Sequence, residues 1–221
     1  LSESPYERRR RRAQERYRRS GKAEEPSSDT VAANSDAEAH ESARNIVLRQ
    51  LTASAKSRRQ LEDKLADRGV PEDVAASVLD RFQEVGLVDD AAFAETFVRS
   101  RAETRKLARP ALRRDLQAKG IDPELAEQAL EQRTDDDERE DALELVRRKT
   151  PSGGQLTQQL ADRAAREKLT RRLVSMLARK GYAPGLAFDV VKQVLAEAEA
   201  AVGAESDAES DDDEGLWLDT P

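Results

Sequence analysis

Cysteine is absent from the 221 residues, so neither a disulfide nor a thiolate metal site can form. Histidine occurs once, as His40. Zinc asks for three or four ligands, which makes a lone His a surface residue rather than a metal ligand. One His and no Cys also leave the commonest acid–base and nucleophile constellations unbuildable. There is no G-x-x-x-x-G-K-[ST], no G-x-G-x-x-G after a strand, no H-E-x-x-H and no G-x-S-x-G. No catalytic residue, metal or cofactor is expected, and the chain reads as a non-enzyme. No run approaches the ~18 apolar residues of a membrane span. The basic N-terminal stretch lacks the apolar core of a signal peptide. The expectation is a cytoplasmic protein without a membrane partner. Aromatic residues are only 4% of the chain, too few to fill one large core. Small helical units stacked on one another fit that shortage better.

What the chain has in quantity is charge, at 38% of residues. Ala, Leu, Arg, Glu and Asp dominate, which favours helix over sheet. The net charge of −7 conceals a segregation. Residues 1–22 hold nine Lys or Arg against three acids, and residues 203–221 hold eight acids and no base. The stretch 39–202 is balanced, with 29 of each sign. Tails of opposite sign on a neutral body point to electrostatic partners or to self-association of the tails.

The strongest internal signal is a recurring helix-stop unit. In the stretch GLVDDAAFAETFVRSRAETRKLARPALRRDLQAKGI, residues 86–121, Leu112 and Leu116 carry an apolar stripe to Gly120. Gly120 fits the C′ position, where a left-handed residue ends a helix, and Leu116 and Ile121 fit the hydrophobic pair of a Schellman cap. Asp89 and Asp122 read as N-caps, with Pro110 and Pro123 in first turns. The same unit appears as Leu61, Leu65, Gly69, Val70 and as Leu173, Leu177, Gly181, Tyr182. An amphipathic segment in the same register follows each glycine. The glycines are spaced 51 and then 61 residues apart, so the third unit carries about ten extra residues.

The pattern divides the chain into a disordered basic arm and linker (1–37), helical units over 38–86, 87–133 and 134–202, and a disordered acidic tail (203–221). The first helix is expected from Ala39 to about Ala53 with Ile46, Val47, Leu48 and Leu51 inward. Ser57 and Gln60 have capping-box spacing. Val74, Val78, Leu79 and Phe82 face inward on the next helix but one. The third unit opens at Thr134-Asp-Asp-Asp-Glu, acids suited to a first turn rather than to a metal. Phe188, Val190, Val191, Val194 and Leu195 line its last helix. In the arm, five consecutive arginines stand near Tyr6 and Tyr17, a composition able to bind phosphates and stack on bases. A solubilising tail accounts for it equally well. Leu216-Trp217-Leu218 interrupts the acidic tail in the manner of a docking peptide or of a nonfunctional end.

Basic side chains supply the candidate site. Residues 99–119 hold eight Lys or Arg against two acids, and residues 163–180 hold seven against one. Arg99, Arg101, Arg105, Lys106, Arg109, Arg113 and Arg114 in the first stretch, with Arg171, Arg172 and Lys180 in the second, are the candidate contacts to a partner or to DNA. Local acids to neutralise them are missing, which sets these stretches apart from an ordinary solvated helix face.

The second unit, and above all its run D-D-x-x-F-A-x-x-F-V-R-S-R, resembles the signature region of the RecX regulatory family. SRRQLEDKLADRGVPEDVAASVLDRFQEVGLVDD is similar to that family's first repeat, and EREDALELVRRKT with RRLVSMLARKGYAPGLAFDVVKQVL to its third. The resemblance spans roughly residues 40–200. It implies an all-α fold of three tandem three-helix repeats in an elongated, curved body with disordered tails. It also implies a monomeric, non-enzymatic modulator that enters the groove of the RecA–DNA filament and restrains ATP hydrolysis and strand exchange, touching DNA directly or through the filament. Phe93 and Phe97 match the family's core aromatics, and Arg99, Arg101, Arg113 and Arg114 lie in its filament-facing region. One departure is clear: where the family has a glycine-aromatic-glycine-proline turn, this chain has Lys106-Leu-Ala-Arg-Pro110. A direct nucleic-acid-binding helical protein is the alternative reading, and a helical scaffold without a nucleic-acid role the third.

Overall fold

The computed structural model describes residues 30–211, with side chains over 36–201. The basic arm and the Leu216-Trp217-Leu218 segment lie outside the described residues. Ten helices and no strand occur among the described residues: α1 Thr30–Ala53, α2 Arg58–Asp67, α3 Glu72–Glu84, α4 Asp90–Arg105, α5 Arg109–Ala118, α6 Pro123–Leu130, α7 Asp135–Lys149, α8 Gly154–Ala161, α9 Arg163–Arg179 and α10 Pro184–Asp211. Helical backbone thus starts at Thr30, inside the stretch read from sequence as linker, and reaches Asp211, inside the acidic tail. None of these helices is long and apolar enough to cross a membrane.

The chain forms two compact units, and their division cuts through α4 and α5. One holds the residues up to Val98 with Arg113–Ala129, the other Arg99–Leu112 with the residues from Leu130 on. In the first, Ala43 and Val47 of α1 pack with Leu61 and Leu65 of α2 and with Val74, Val78, Leu79 and Phe82 of α3. In the second, Ala142, Leu145 and Val146 of α7 pack with Leu169, Leu173 and Leu177 of α9 and with Val190, Val191, Val194 and Leu195 of α10. Burying each such Leu or Val contributes roughly 1.5–3 kcal/mol, enough to order helices whose aromatic content is low. Helix α8 is the insertion behind the longer second glycine interval, and it buries Leu156.

Two apolar positions depart from the periodic reading. Leu48 is 43% exposed and Phe188 is 57% exposed, each on the outer side of its helix. Both sit directly beside a buried residue, Val47 and Ala187 respectively, and one step along a helix turns a side chain by about 100°.

All three glycine stops are built as Schellman caps. Gly69, Gly120 and Gly181 have φ of 78°, 76° and 92°. Each glycine N–H donates to the carbonyl three residues back: Ala66 (3.0 Å), Gln117 (2.9 Å) and Ala178 (3.0 Å). The next residue donates to the leucine carbonyl: Val70 to Leu65 (3.1 Å), Ile121 to Leu116 (3.2 Å) and Tyr182 to Leu177 (3.2 Å). Leu65, Leu116 and Leu177 are fully buried, and Val70, Ile121 and Tyr182 are buried with them. The expected N-caps also form. Ser57 and Gln60 form a reciprocal capping box, Asp89 Oδ1 accepts from Ala92 N–H (2.9 Å), and Asp122 Oδ1 accepts from Glu124 N–H (2.8 Å).

The last two stops also dock on the start of an earlier helix. Ser57, just before α2, donates its Oγ–H to the Lys119 carbonyl (2.7 Å) beside Gly120. Ala108, just before α5, donates its N–H to the Lys180 carbonyl (3.1 Å) beside Gly181. A Cβ on Gly120 would lie 2.4 Å from Arg59 Cβ, and one on Gly181 would lie 2.7 Å from Ala111 Cβ and 2.8 Å from its backbone N. Glycine is therefore required there twice over, for its left-handed φ and for the close approach. Gly86, with φ of 70°, has nothing within 4 Å of its would-be Cβ.

That contrast gives a graded expectation for denaturant unfolding. Gly86→Ala carries the left-handed cost alone, roughly 1–2 kcal/mol. Gly120→Ala and Gly181→Ala add overpacking, for a total of about 3 kcal/mol or more. Equal losses at the three positions would remove the docking role.

Candidate nucleic-acid and partner interface

The ten candidate cations do not share one environment. Arg99, Arg105, Arg114, Arg171 and Arg172 are exposed; Arg101, Lys106, Arg109, Arg113 and Lys180 are half-buried. The second group includes cations whose acids arrive from elsewhere in the chain. Missing local acids in the sequence therefore did not mean missing acids in the fold.

Arg109 is the clearest case. It opens α5 behind Ala108, which has no side chain able to cap. Glu138 of α7 takes that part, accepting from the Arg109 backbone N–H (2.6 Å) and from its Nε (3.1 Å). Asp135 pairs with the same guanidinium. Arg58, eleven residues before Gly69 as Arg109 is before Gly120, is held in the same way. Its backbone N–H donates to Asp90 Oδ1 (2.8 Å) and its side chain pairs with Glu62 (3.0 Å) and Asp80 (2.7 Å). Burial pushes the Asp90 carboxyl above its ordinary range, against the opposing pull of Arg58. The acids of Thr134-Asp-Asp-Asp-Glu thus divide their work: Asp137 closes a capping box with Thr134, while Asp135 and Glu138 serve α5.

Lys106 occupies the turn where the resemblance leads one to expect glycine, and it is left-handed with φ of 51°. A non-glycine residue there costs of order 1–3 kcal/mol and persists only where its surroundings over-determine it. Here they do. Its N–H donates to the Ala102 carbonyl (2.9 Å), and its own carbonyl accepts from Tyr182 Oη (3.0 Å). Its Nζ pairs with Asp141 (2.7 Å) and Glu144 (2.9 Å), whose charges raise the ammonium pKa. Burial holds the Tyr182 phenol far above its ordinary range, so it remains a neutral donor. Asp141 also binds Arg133 Nη2 (2.5 Å).

Arg113 donates from Nη2 to Glu127 Oε2 (2.8 Å), and its Nε meets the other oxygen. That pairing lowers the Glu127 carboxyl pKa. Arg171 Nε and Arg172 Nη2 donate to the carbonyls of Glu167 (3.4 Å) and Lys149 (3.5 Å), and among the described residues no ion pair reaches either guanidinium. Lys180 Nζ donates to the Arg105 carbonyl. Phe93 and Phe97 are not core residues. They stack half-buried with centroids 6.0 Å apart, and Lys119 Nζ lies 5.3 Å from the Phe97 centroid. Among the described residues no group of three or more His, Cys, Asp or Glu is placed to hold a metal.

Comparison with known proteins decides the lineage. Residues 43–82 match the family model described as RecX, first three-helix domain, and residues 89–130 match RecX, second three-helix domain. The chain is 43% identical over 182 residues to the regulatory protein RecX of Streptomyces lividans, covering 78% of this chain and 93% of that relative. The chain belongs to the RecX family. A second RecX relative, from Mycolicibacterium vanbaalenii, is 46% identical over 169 residues, covering 76% of this chain and 91% of its own length. The crystal structure of RecX from Lactobacillus salivarius aligns with a TM-score of 0.58 at 25% identity, over 72% of this chain and 97% of that one. A crystal structure of regulatory protein RecX aligns at 0.61 with 21% identity, a likeness of fold.

Two measurements check the paired cations. Asp141→Asn leaves Lys106 and Arg133 facing a neutral amide, and unfolding free energy should fall by about 3 kcal/mol. A loss below ~1 kcal/mol, the scale of a surface pair, would contradict the clamp. Glu127 titrates lower folded than unfolded, so its contribution is complete above its ordinary pKa of ~4.3 and is lost as pH falls through the folded value. Arg113→Gln should move the Glu127 carboxyl resonance midpoint upward in an NMR titration, and an unmoved midpoint would contradict the pairing.

Proposed function

We propose that this chain is a non-enzymatic regulator that binds the RecA–DNA filament and restrains its ATP hydrolysis and strand exchange. The observation that carries the reading is membership of a family named for regulation, at 43–46% identity over about three quarters of the chain. The surface chemistry supports it. Arg99, Arg105, Arg114, Arg171 and Arg172 are exposed cations on helices whose apolar faces are already used for packing. A filament presents both a polyanion and acidic protein surface to such side chains. The cations held by acids act differently: Lys106 and Arg109 fix a turn and a helix start, and Arg113 ties α5 to α6, which positions the exposed set.

The test is RecA hydrolysing ATP on single-stranded DNA, with this chain titrated in. The rate should fall with dose, and a rate unchanged at excess chain would reject the reading. Within that assay, Arg99→Gln with Arg171→Gln should raise the half-inhibitory concentration about tenfold, equivalent to ~1.4 kcal/mol. Arg113→Gln, whose charge Glu127 already offsets, should move it by less than about threefold. The reverse order would place the binding face elsewhere.

A further inference from the structure

The second compact unit carries an apolar cleft between the loop after α7, the start of α8 and the wall of α10. It measures about 490 Å³, and Pro151, Gly153, Leu156, Val194, Ala198 and Ala201 line it. Leu156 and Val194 are buried at its floor, while Gly153, Gly154 and Ala201 are exposed at its mouth. A Cβ on either glycine would meet nothing within 4 Å, so the loop leaves the mouth wide. Arg147 and Glu197 on the wall pair with each other (3.0 Å), which leaves apolar surface as the cleft's main offer to an occupant.

The chain itself supplies an apolar segment within reach. Helix α10 forms one wall and continues past Ala201 to Asp211. At 1.5 Å per residue, Asp211 stands about 15 Å beyond Ala201. Extended chain from Asp211 to Trp217 covers about 20 Å, enough to come back to the mouth. The intervening sequence is Asp212-Asp213-Glu214-Gly215-Leu216, in which Gly215 permits the reversal. Leu216, Trp217 and Leu218 are the only large apolar residues between 203 and 221, and Glu214 and Asp219 flank them. The rim suits those acids, because Arg147, Arg148 and Lys149 end α7 and lead straight into the loop.

We propose that this cleft is the docking site of the chain's own Leu216-Trp217-Leu218, with the Trp217 indole seated between Ala201 and the loop. Apolar burial supplies the attraction, since one aromatic side chain removes roughly 150–250 Å² from water. The Ser152 and Thr157 hydroxyls on the cleft wall are acceptors for the indole N–H. The acids on either side of the triplet then lie near the cations of α7 and add a weaker, salt-dependent pull. Docked in this way, the segment is a strap over the loop and α8. The insertion and the apolar triplet thereby explain each other: one builds the cleft and the other fills it. The strap does not rest on the recombinase reading.

Trp217 is the only tryptophan, so the fluorescence of the full chain reports on this segment alone. Acrylamide should quench it about twofold less than it quenches a free peptide of residues 209–221, the ratio for a strap docked in half of the molecules. Ala201→Glu places a charge in the cleft mouth and should restore the peptide's quenching constant. Ala200→Glu adds the same charge at the neighbouring exposed position, outside the cleft lining, and should leave the shielding unchanged. Circular dichroism checks that both variants keep their helices. Shielding should persist at 1 M salt, where the Debye length is about 3 Å. Wild-type quenching equal to that of the peptide would overturn the strap, as would equal effects of the two variants. Loss of shielding in salt would overturn it too, since charge alone would then hold the segment. Shielding that rises with protein concentration would assign the cleft to a second copy's segment and overturn the intramolecular dock.

Discussion

Gly120 and Gly181 each meet the first turn of an earlier helix at a distance that no side chain at the glycine could tolerate. At both, a carbonyl at the end of one helix is bonded by a group just before another: Lys119 by Ser57 and Lys180 by Ala108. The left-handed residue turns the chain out of its helix, and the bare Cα admits the neighbouring helix start. The buried leucine four residues before each glycine then lies under the cap it anchors. Much of the remaining architecture answers to this contact. With α5 and α9 fixed at their ends, the α4–α5 turn and the acids of α7 have little freedom in where they fall.

Short-range chemistry was the legible part of the sequence. The glycine register, the leucine pairs before it and the caps at Ser57, Asp89 and Asp122 involve partners within five residues, and the structure bears them out. Helix ends in low-complexity charged segments were not legible in this way: α1 begins before the periodic apolar residues do, and α10 runs beyond them. Leu48 and Phe188 misled because a run of adjacent apolar residues does not say which of them faces inward.

The candidate site was half legible, for a related reason. Composition located the basic stretches but could not sort them, because sorting depends on acids distant in sequence. Glu138 lies 29 residues from Arg109, and Asp141 reaches Lys106 across two intervening helices of the chain. A hint did exist in the four acids after Thr134, more than one helix N-terminus needs.

Lys106 also constrains the order in which this turn can change by mutation. A lysine introduced there before an acid stood at position 141 would bear the left-handed backbone with only the more exposed Glu144 to meet its ammonium. Once the pair exists, losing the acid first is the costlier step, whereas a return to glycine at 106 remains open because glycine needs no side-chain tether to hold that φ. The two positions form a ratchet with one easy direction of release. A substitution at 141 that is harmless in a relative carrying glycine at the turn would be damaging in this one.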